Sequence, residues 1–559
     1  LWSEVVERGV WKDLVEELFA SILDNYDEDI IQKIKLIEKN IPDAVRDSSV
    51  LAPMMASNNW VVSGTKTKSG FPLLANDPHL EINRLPSVWY EVSFELGAKR
   101  AHGMSMPGIS ALLIGSNNDI AWGTTYTFMD AIDSWIEECR DGKYLKDGNW
   151  IDFNIRKEKI KRKGKEAREV VFYENEHGVL QGNPFEAGYY LTTLWSAKNG
   201  GAKSIKNGVL LLNATTVESG MDYLGQFEMA FNWVLADKKG NIGYQMSGLL
   251  PKRKEGNTGF IPLIGWDSKN DWDGFYAHKD LPRSYNPESG MLVTANEKIE
   301  RFEGVDTQTI AMGAYRSERI TNLLKDRTGL TVEDMKEMHY DVYSIQAERF
   351  MKYIIPLLPE TENGDILKNW DLCYDVNSKG AYLFEQIYRN LYAEVFSSAI
   401  GVKSLDFLQN ETGIMIDFYD NFDKILLKED SKWFGEKGKK ELYSSAILKG
   451  LKNKAKTWGE VNQFTLTNIL LGEDLPSFLG FNKGPFPMPG GRATIHQGQV
   501  YRSNNRNTTF APSCRMIVDF KESTIHTNLS GGVSDRRFSK YYWNDFKNWQ
   551  NMKYKKIKL

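Results

Sequence analysis

Met54-Met55-Ala56-Ser57-Asn58-Asn59-Trp60-Val61-Val62 is the stretch on which the reading of this chain turns. A small apolar approach leads to a hydroxyl residue. Trp60-Val61-Val62 then has the aromatic and β-branched character of a strand, until Ser63-Gly64 and a Lys/Gly turn end it. For an arbitrary Ser-Asn-Asn the plain reading is one more β-strand. The functional reading is that cutting the Ala56–Ser57 bond makes Ser57 a chain terminus. Its hydroxyl and its freed α-amine would then be nucleophile and base on one residue.

Working outward, the chain carries Asn76-Asp77-Pro78-His79, Pro107-Gly108, Trp122-Gly123, Thr294-Ala295-Asn296, Ala314-Tyr315-Arg316 and Ser513-Cys514-Arg515-Met516. Together with Ser57-Asn58-Asn59-Trp60, in this order and approximate spacing, they resemble the penicillin amidase family of N-terminal nucleophile (Ntn) hydrolases. That family includes penicillin, cephalosporin and acyl-homoserine-lactone acylases. The resemblance covers essentially everything from Ser57 on. It implies an α+β fold, the αββα sandwich of the Ntn type with helical insertions. It also implies hydrolysis of the amide bond of small N-acyl compounds through an acyl-serine intermediate. On this reading residues 1–26 are the end of a small α-subunit, 27–56 a spacer and 57–559 a catalytic β-subunit with a helical region about 317–455. The chain opens on Leu1, which the same reading takes as a fragment or processed product whose α-subunit comes from the same precursor.

Amide hydrolysis needs a nucleophile, a proton acceptor and donors aimed at the oxyanion. Ser57 Oγ fills the first role, and its own α-amine, with a reference pKa of about 8, the second. By resemblance, the Asn296 side chain and the Tyr126 backbone N–H are the oxyanion donors, His79 orients the nucleophile's terminus, and Arg316 keeps the α-amine neutral. Asn296, His79 and Arg316 each have a plainer reading: a strand-end Asn, a structural His after Asp-Pro, and an Arg316–Glu318 surface ion pair. Leu80 and Ile114 stand where penicillin G acylases tend to carry aromatic residues, so the implied substrate-binding walls favour aliphatic acyl chains. Asp130-Ala131-Ile132-Asp133 resembles an Asp-x-x-Asp segment that holds calcium in relatives. With Asp306 it implies a structural calcium on Asp130, Ile132, Asp133 and Asp306; two carboxylates three apart suit a hard cation, and the plain reading is a turn cap.

Two rivals stand beside this. One is an uncleaved, silent relative acting as a binding protein. The other is a serine hydrolase built on Ser63-Gly64-Thr65-Lys66, with Ser116-Asn117-Asn118 and Lys68-Ser69-Gly70 as its further elements. The order argues against the second, since its last element follows its first by only a few residues.

The rest of the chain sets limits. A length of 559 residues with 41% apolar content is enough for one large or two fused layered cores. A net charge of −4 gives no case for nucleic acid, and three widely spaced cysteines give none for a disulfide framework. No apolar run approaches the roughly 20 residues a membrane span needs. Family habit and cysteine scarcity lean towards export. Periodicity predicts an amphipathic helix over 10–24, a hairpin over Asn232–Tyr244, and a helix start capped by Thr331. It also predicts helices near 344–357, 381–399 and 438–452, strands near 496–502 and 513–520, and a last helix over 534–549.

Overall fold

A computed structural model of the chain describes residues 14–19, 28–37, 56–198, 200–402, 405, 419–472, 475–500 and 508–559. The Ser57 stretch is a strand, Ala56–Val62 (β1), buried along its whole length. It is buried on both faces because it is central. Antiparallel neighbours flank it, Met291–Thr294 (β12) on one side and Leu73–Glu81 (β2) on the other. The sheet continues through Cys514–Asp519 (β13), Thr524–Leu529 (β14) and Lys555–Lys558 (β15).

A second antiparallel sheet runs Arg283–Tyr285 (β11), Ile242–Ser247 (β10), Phe231–Asp237 (β9), Ile120–Tyr126 (β6), Ile114–Asn117 (β5), Lys99–Ser105 (β4) and Tyr90–Leu96 (β3). Alternation along the strands builds the layers. Val61, Leu74, Met516 and Val518 of the first sheet meet Ile114, Ala121, Val234 and Met246 of the second. Trp60, Val62 and Leu73 face the other way, onto Ile320 and Leu324 of helix Tyr315–Leu324 (α4) and Met335 and Met338 of Val332–Met338 (α5). On the far side Trp122, Trp233 and Leu235 receive Leu211 of Ala202–Leu211 (α2) and Val217 and Leu224 of Val217–Gly225 (α3). Each fully buried large side chain contributes roughly 1.5–3 kcal/mol. The result is the expected αββα sandwich.

Outside it, a third sheet centres on Ile132–Arg140 (β7) and Gly188–Trp195 (β8). A helical region holds Ile345–Ile354 (α6), Lys379–Ile400 (α7) and Gly438–Gly450 (α9), close to the expected spans, with Tyr419–Leu427 (α8) in addition to them. The hairpin forms as β9 and β10, and Thr331 caps α5 in a reciprocal box with Asp334. Helix Glu28–Ile37 (α1), inside the stretch read as spacer, places Ile30, Ile34 and Ile37 in one core cluster with Ile136 and Ile264. That is the one-face spacing of an amphipathic helix.

Three expectations need correction. The strand-rich reach before residue 248 contains the helices α2 and α3. The last helix shrinks to Phe546–Gln550, because turns such as Ser534 N–H to Tyr541 O and Ser539 N–H to Arg536 O occupy the segment before it. The strand near 496–502 is reduced to Gln499–Val500, and its end lies outside the described residues. Of the helix over 10–24, the described residues hold Glu16–Leu18.

Candidate active site

Ser57 lies one residue into β1, opposite Pro78 of β2, and is 5% exposed. Alternation puts it on the Val61 face, towards the second sheet. In the continuous chain its Oγ donates to the carbonyl oxygen of Ala56. Its backbone N–H donates to Asn296 Oδ1 at 2.7 Å. Pro78 has no N–H to offer, and the Ser57 carbonyl accepts from Arg316 Nη1 at 2.8 Å.

Arg316 is fully buried and gathers the site. Nη1 also reaches Asn58 Oδ1 at 2.7 Å; Nη2 reaches the Ala295 carbonyl at 2.6 Å and Asn296 Oδ1 at 3.0 Å. A guanidinium only donates, which fixes the Asn296 amide with its oxygen inward. Its Nδ2 therefore turns to the Tyr126 carbonyl, at 2.6 Å. Arg316 stands in the first turn of α4, where a cation opposes the helix dipole. The helix gains nothing from it there, so the position serves the site. Glu318, its alternative partner in sequence, pairs with Arg349 at 2.6 Å. Beside it, burial pushes the Glu297 carboxyl above its ordinary range, with the Ala295 N–H and Arg316 pulling back.

His79 pairs in register with Ala56, but its ring points to the helix-covered face rather than to Ser57. There Nδ1 meets Gln497 Oε1 at 2.8 Å, and Nε2 meets Asp77 Oδ2 at 3.1 Å and Asn58 Nδ2 at 3.3 Å. Burial lowers its pKa, while Asp77 pulls it back up. His79 thus bears on Ser57 through Asn58, which donates to Ile495 O at 2.8 Å and accepts from Arg316. Asn58, Asp77 and Gln497 have no assigned role in the sequence reading. Asn58 and Asp77 stand inside quoted motifs, whereas Gln497 is 418 residues from His79 and gives no sequence signal.

Asn76 explains the first residue of Asn-Asp-Pro-His. Its side chain joins the two sheets, donating to Asn58 O at 2.6 Å and Thr124 O at 3.0 Å, and accepting from Thr124 N at 3.0 Å. Leu80 and Ile114 are buried in the inter-sheet layer, on the Ser57 side. A cavity of about 200 Å³ borders Tyr126, Phe128, Asp130 and Ile310. Phe128 also packs with Ala56 and Met312. The Ser63/Lys66 arrangement does not assemble: Lys66 Nζ donates to Lys325 O at 2.9 Å, and Ser63 Oγ bonds Thr65 Oγ1 at 2.7 Å.

The residues read as calcium ligands are only partly brought together. A Cβ built on Gly259 would lie 2.2 Å from Asp130 Oδ1, and 2.6 Å from both Asp133 Oδ1 and the Ile132 carbonyl, so three oxygens converge. Their charge is already met by Arg253, whose Nε lies 2.7 Å from Asp133 Oδ2. The Asp306 carboxylate, one residue before the Thr307 carbonyl that accepts from the Asp130 N–H, pairs instead with Lys298 Nζ, at 3.2 Å. These residues do not fit a resident calcium alongside that guanidinium. Among the described residues, Glu176, His177 and Asp271 do group like metal ligands, but Lys146 Nζ is 2.6 Å from Asp271.

The penicillin amidase family model matches residues 4–559. The chain belongs to the penicillin amidase family. Two named relatives illustrate the likeness. Acyl-homoserine lactone acylase QuiP of Pseudomonas aeruginosa is 27% identical over 567 aligned positions, 89% of this chain and 66% of its own length. Penicillin acylase 2 proenzyme of Pseudomonas sp. (strain SE83) is 29% identical over 347 positions, 60% of this chain and 44% of its own. The chain thus spans just under two thirds of the length of the acyl-homoserine lactone acylase. The fold is that of the thermostable penicillin G acylase from Alcaligenes faecalis, with a TM-score of 0.69 at 18% identity, over 90% of this chain and 96% of that one. Among the described residues no helix is long and apolar enough to cross a membrane.

Proposed function

We propose that this chain is an acylase that hydrolyses the amide bond of small N-acyl compounds, with Ser57 as nucleophile after cleavage of the Ala56–Ser57 bond. The observation that carries the reading is the placement of Ser57 Oγ on the Ala56 carbonyl, while Asn296 and Arg316 hold the Ser57 backbone on either side. In maturation, Oγ attacks the Ala56 carbonyl carbon, the C–N bond breaks, and the hydroxyl proton passes to the departing nitrogen. Water then hydrolyses the ester and leaves Ser57 with a free α-amine. That amine takes the Oγ proton when the hydroxyl attacks a substrate amide and returns it to the leaving amine; water, giving its proton to the same amine, then cleaves the acyl-serine ester, and the proton returns to Oγ as the acid leaves. The buried positive charge of Arg316 favours the neutral amine. Asn296 Nδ2 and the Tyr126 N–H are the donors for the oxyanion, which requires Asn296 to exchange its bond to the Tyr126 carbonyl for one to substrate.

On this proposal Leu80 and Ile114, aliphatic and packed in the inter-sheet layer on the Ser57 side, wall the acyl slot and favour straight-chain acyl groups over a phenylacetyl ring. Each buried methylene adds up to roughly 0.8 kcal/mol until the slot fills. Comparing kcat/KM for penicillin G with an aliphatic N-acyl series tests this part, and a preference for penicillin G overturns it. Export, and an α-subunit cut from the same precursor, belong to the same proposal.

The deciding experiment is the intact mass of wild type and Ser57→Ala after prolonged incubation. Two polypeptides from wild type and a single inactive chain from the variant are expected. Separation of Ser57→Ala at the same bond overturns the proposal. A wild type that stays whole and inactive points instead to a silent relative that binds.

A further inference from the structure

Strand β6 ends on Tyr126; the loop after it carries Asp130 and runs into β7 with Asp133. One side chain ties it down. Arg253 presents a fork to Asp133, Nε to Oδ2 at 2.7 Å and Nη2 to Oδ1 at 3.2 Å. The same Nη2 donates to the Asp130 backbone carbonyl at 2.8 Å and lies 3.4 Å from Asp130 Oδ1. Trp272 Nε1 adds a bond to Asp133 Oδ2 at 2.5 Å, and the Gly259 N–H and Thr309 hydroxyl both donate to Asp130 Oδ2. The Arg253 side chain is 9% exposed and that of Asp133 is fully buried. A paired charge this dry is costly to leave without its partner.

The oxygens that converge beside Gly259 are the type and spacing a calcium ion takes. A guanidinium and a divalent cation compete for the same carboxylates. We propose that Arg253 is the resident cation of the Tyr126–Asp133 loop, so that this chain orders the loop without calcium, and that removing the guanidinium opens an oxygen-lined site for a divalent cation of calcium size. The inference does not depend on Ser57 being the nucleophile. It identifies Arg253 as a positioning residue for the loop that follows Tyr126.

The test compares wild type with Arg253→Ala by metal analysis, melting and terbium luminescence. Terbium stands in for calcium, and Trp272, bonded to Asp133, is placed to sensitise it. Wild type is expected to carry no stoichiometric calcium, to keep its Tm in chelator, and to give no sensitised emission. Arg253→Ala should melt about 5 °C or more lower, recover part of the loss in millimolar calcium, and bind terbium; Asp133→Asn in the same background should abolish the emission. Stoichiometric calcium in wild type, or a wild-type Tm that falls in chelator, overturns the proposal. So does a folded Arg253→Ala that gains neither stability from calcium nor terbium emission. If Arg253→Ala does not fold, the wild-type chelator and metal measurements still decide.

Discussion

Asn296 Oδ1 accepts at once from the backbone N–H of Ser57, at 2.7 Å, and from Arg316 Nη2, at 3.0 Å. One amide thus links the Ala56–Ser57 peptide, the buried cation and, through Nδ2, the Tyr126 carbonyl. Its backbone is left-handed, with φ 70°, a conformation Asn tolerates better than most residues. Asn296→Ala removes the acceptor and the proposed oxyanion donor together. Cleavage at Ala56–Ser57 and amide hydrolysis should each slow by about 10²–10³-fold. Time courses of processing and of kcat measure this; wild-type rates would remove Asn296 from the site.

Arg316→Lys keeps the charge and loses the fork. A lysine cannot reach Ser57 O, Asn58 Oδ1, Ala295 O and Asn296 Oδ1 from two separated nitrogens as Arg316 does. The variant should lose about 3–5 kcal/mol of stability by denaturant unfolding and most of its activity. Glu318→Ala is the control. It removes only the partly exposed Arg349 pair and should change stability by under about 1 kcal/mol.

Gly123→Ala should force the two sheets apart locally. Its Cβ would meet Asn59 Oδ1 at 2.7 Å and Asn76 Cβ at 3.0 Å, across the layer that Asn76 bridges. Overpacking of this kind costs about 1–3 kcal/mol. An unfolding midpoint equal to wild type would show that the layer has slack.

Asp423 gives the helical region a pH dependence. It is fully buried, and burial lifts its carboxyl to about 7, against hydrogen bonds from Tyr388 and Gln346 that lower it. The folded state then holds a proton that the unfolded state has released, so the contribution is full below about pH 4 and is lost as pH rises towards about 7. The slope is at most about 1.4 kcal/mol per pH unit. Asp423→Asn should flatten the fall in stability between about pH 4 and about pH 8. Parallel pH profiles for variant and wild type would rule out this origin.

The sequence by itself determined the central strand, the order of the motifs around it and the helical middle, because these are local. Trp60-Val61-Val62 alternates between two apolar layers, Thr331 and Asp334 cap a helix three residues apart, and α7 has apolar residues to bury along most of its length. The helices α2 and α3 escaped notice because the second sheet, distant in sequence, supplies the surface that holds them. What Arg316 does was likewise open to sequence: its neighbour Glu318 offered a surface pair, and only the packing of α4 against β1 and β12 turns the guanidinium inward to Ser57 and Asn296. The same holds for the Asp130–Asp133 carboxylates. The family resemblance implied calcium there, whereas the cation on Asp133 is Arg253, 120 residues away in the chain and brought to it only by the tertiary fold. Periodicity and caps act over one turn or one strand. The partner of a buried charge is set by the tertiary fold, since burial leaves that charge no alternative in water.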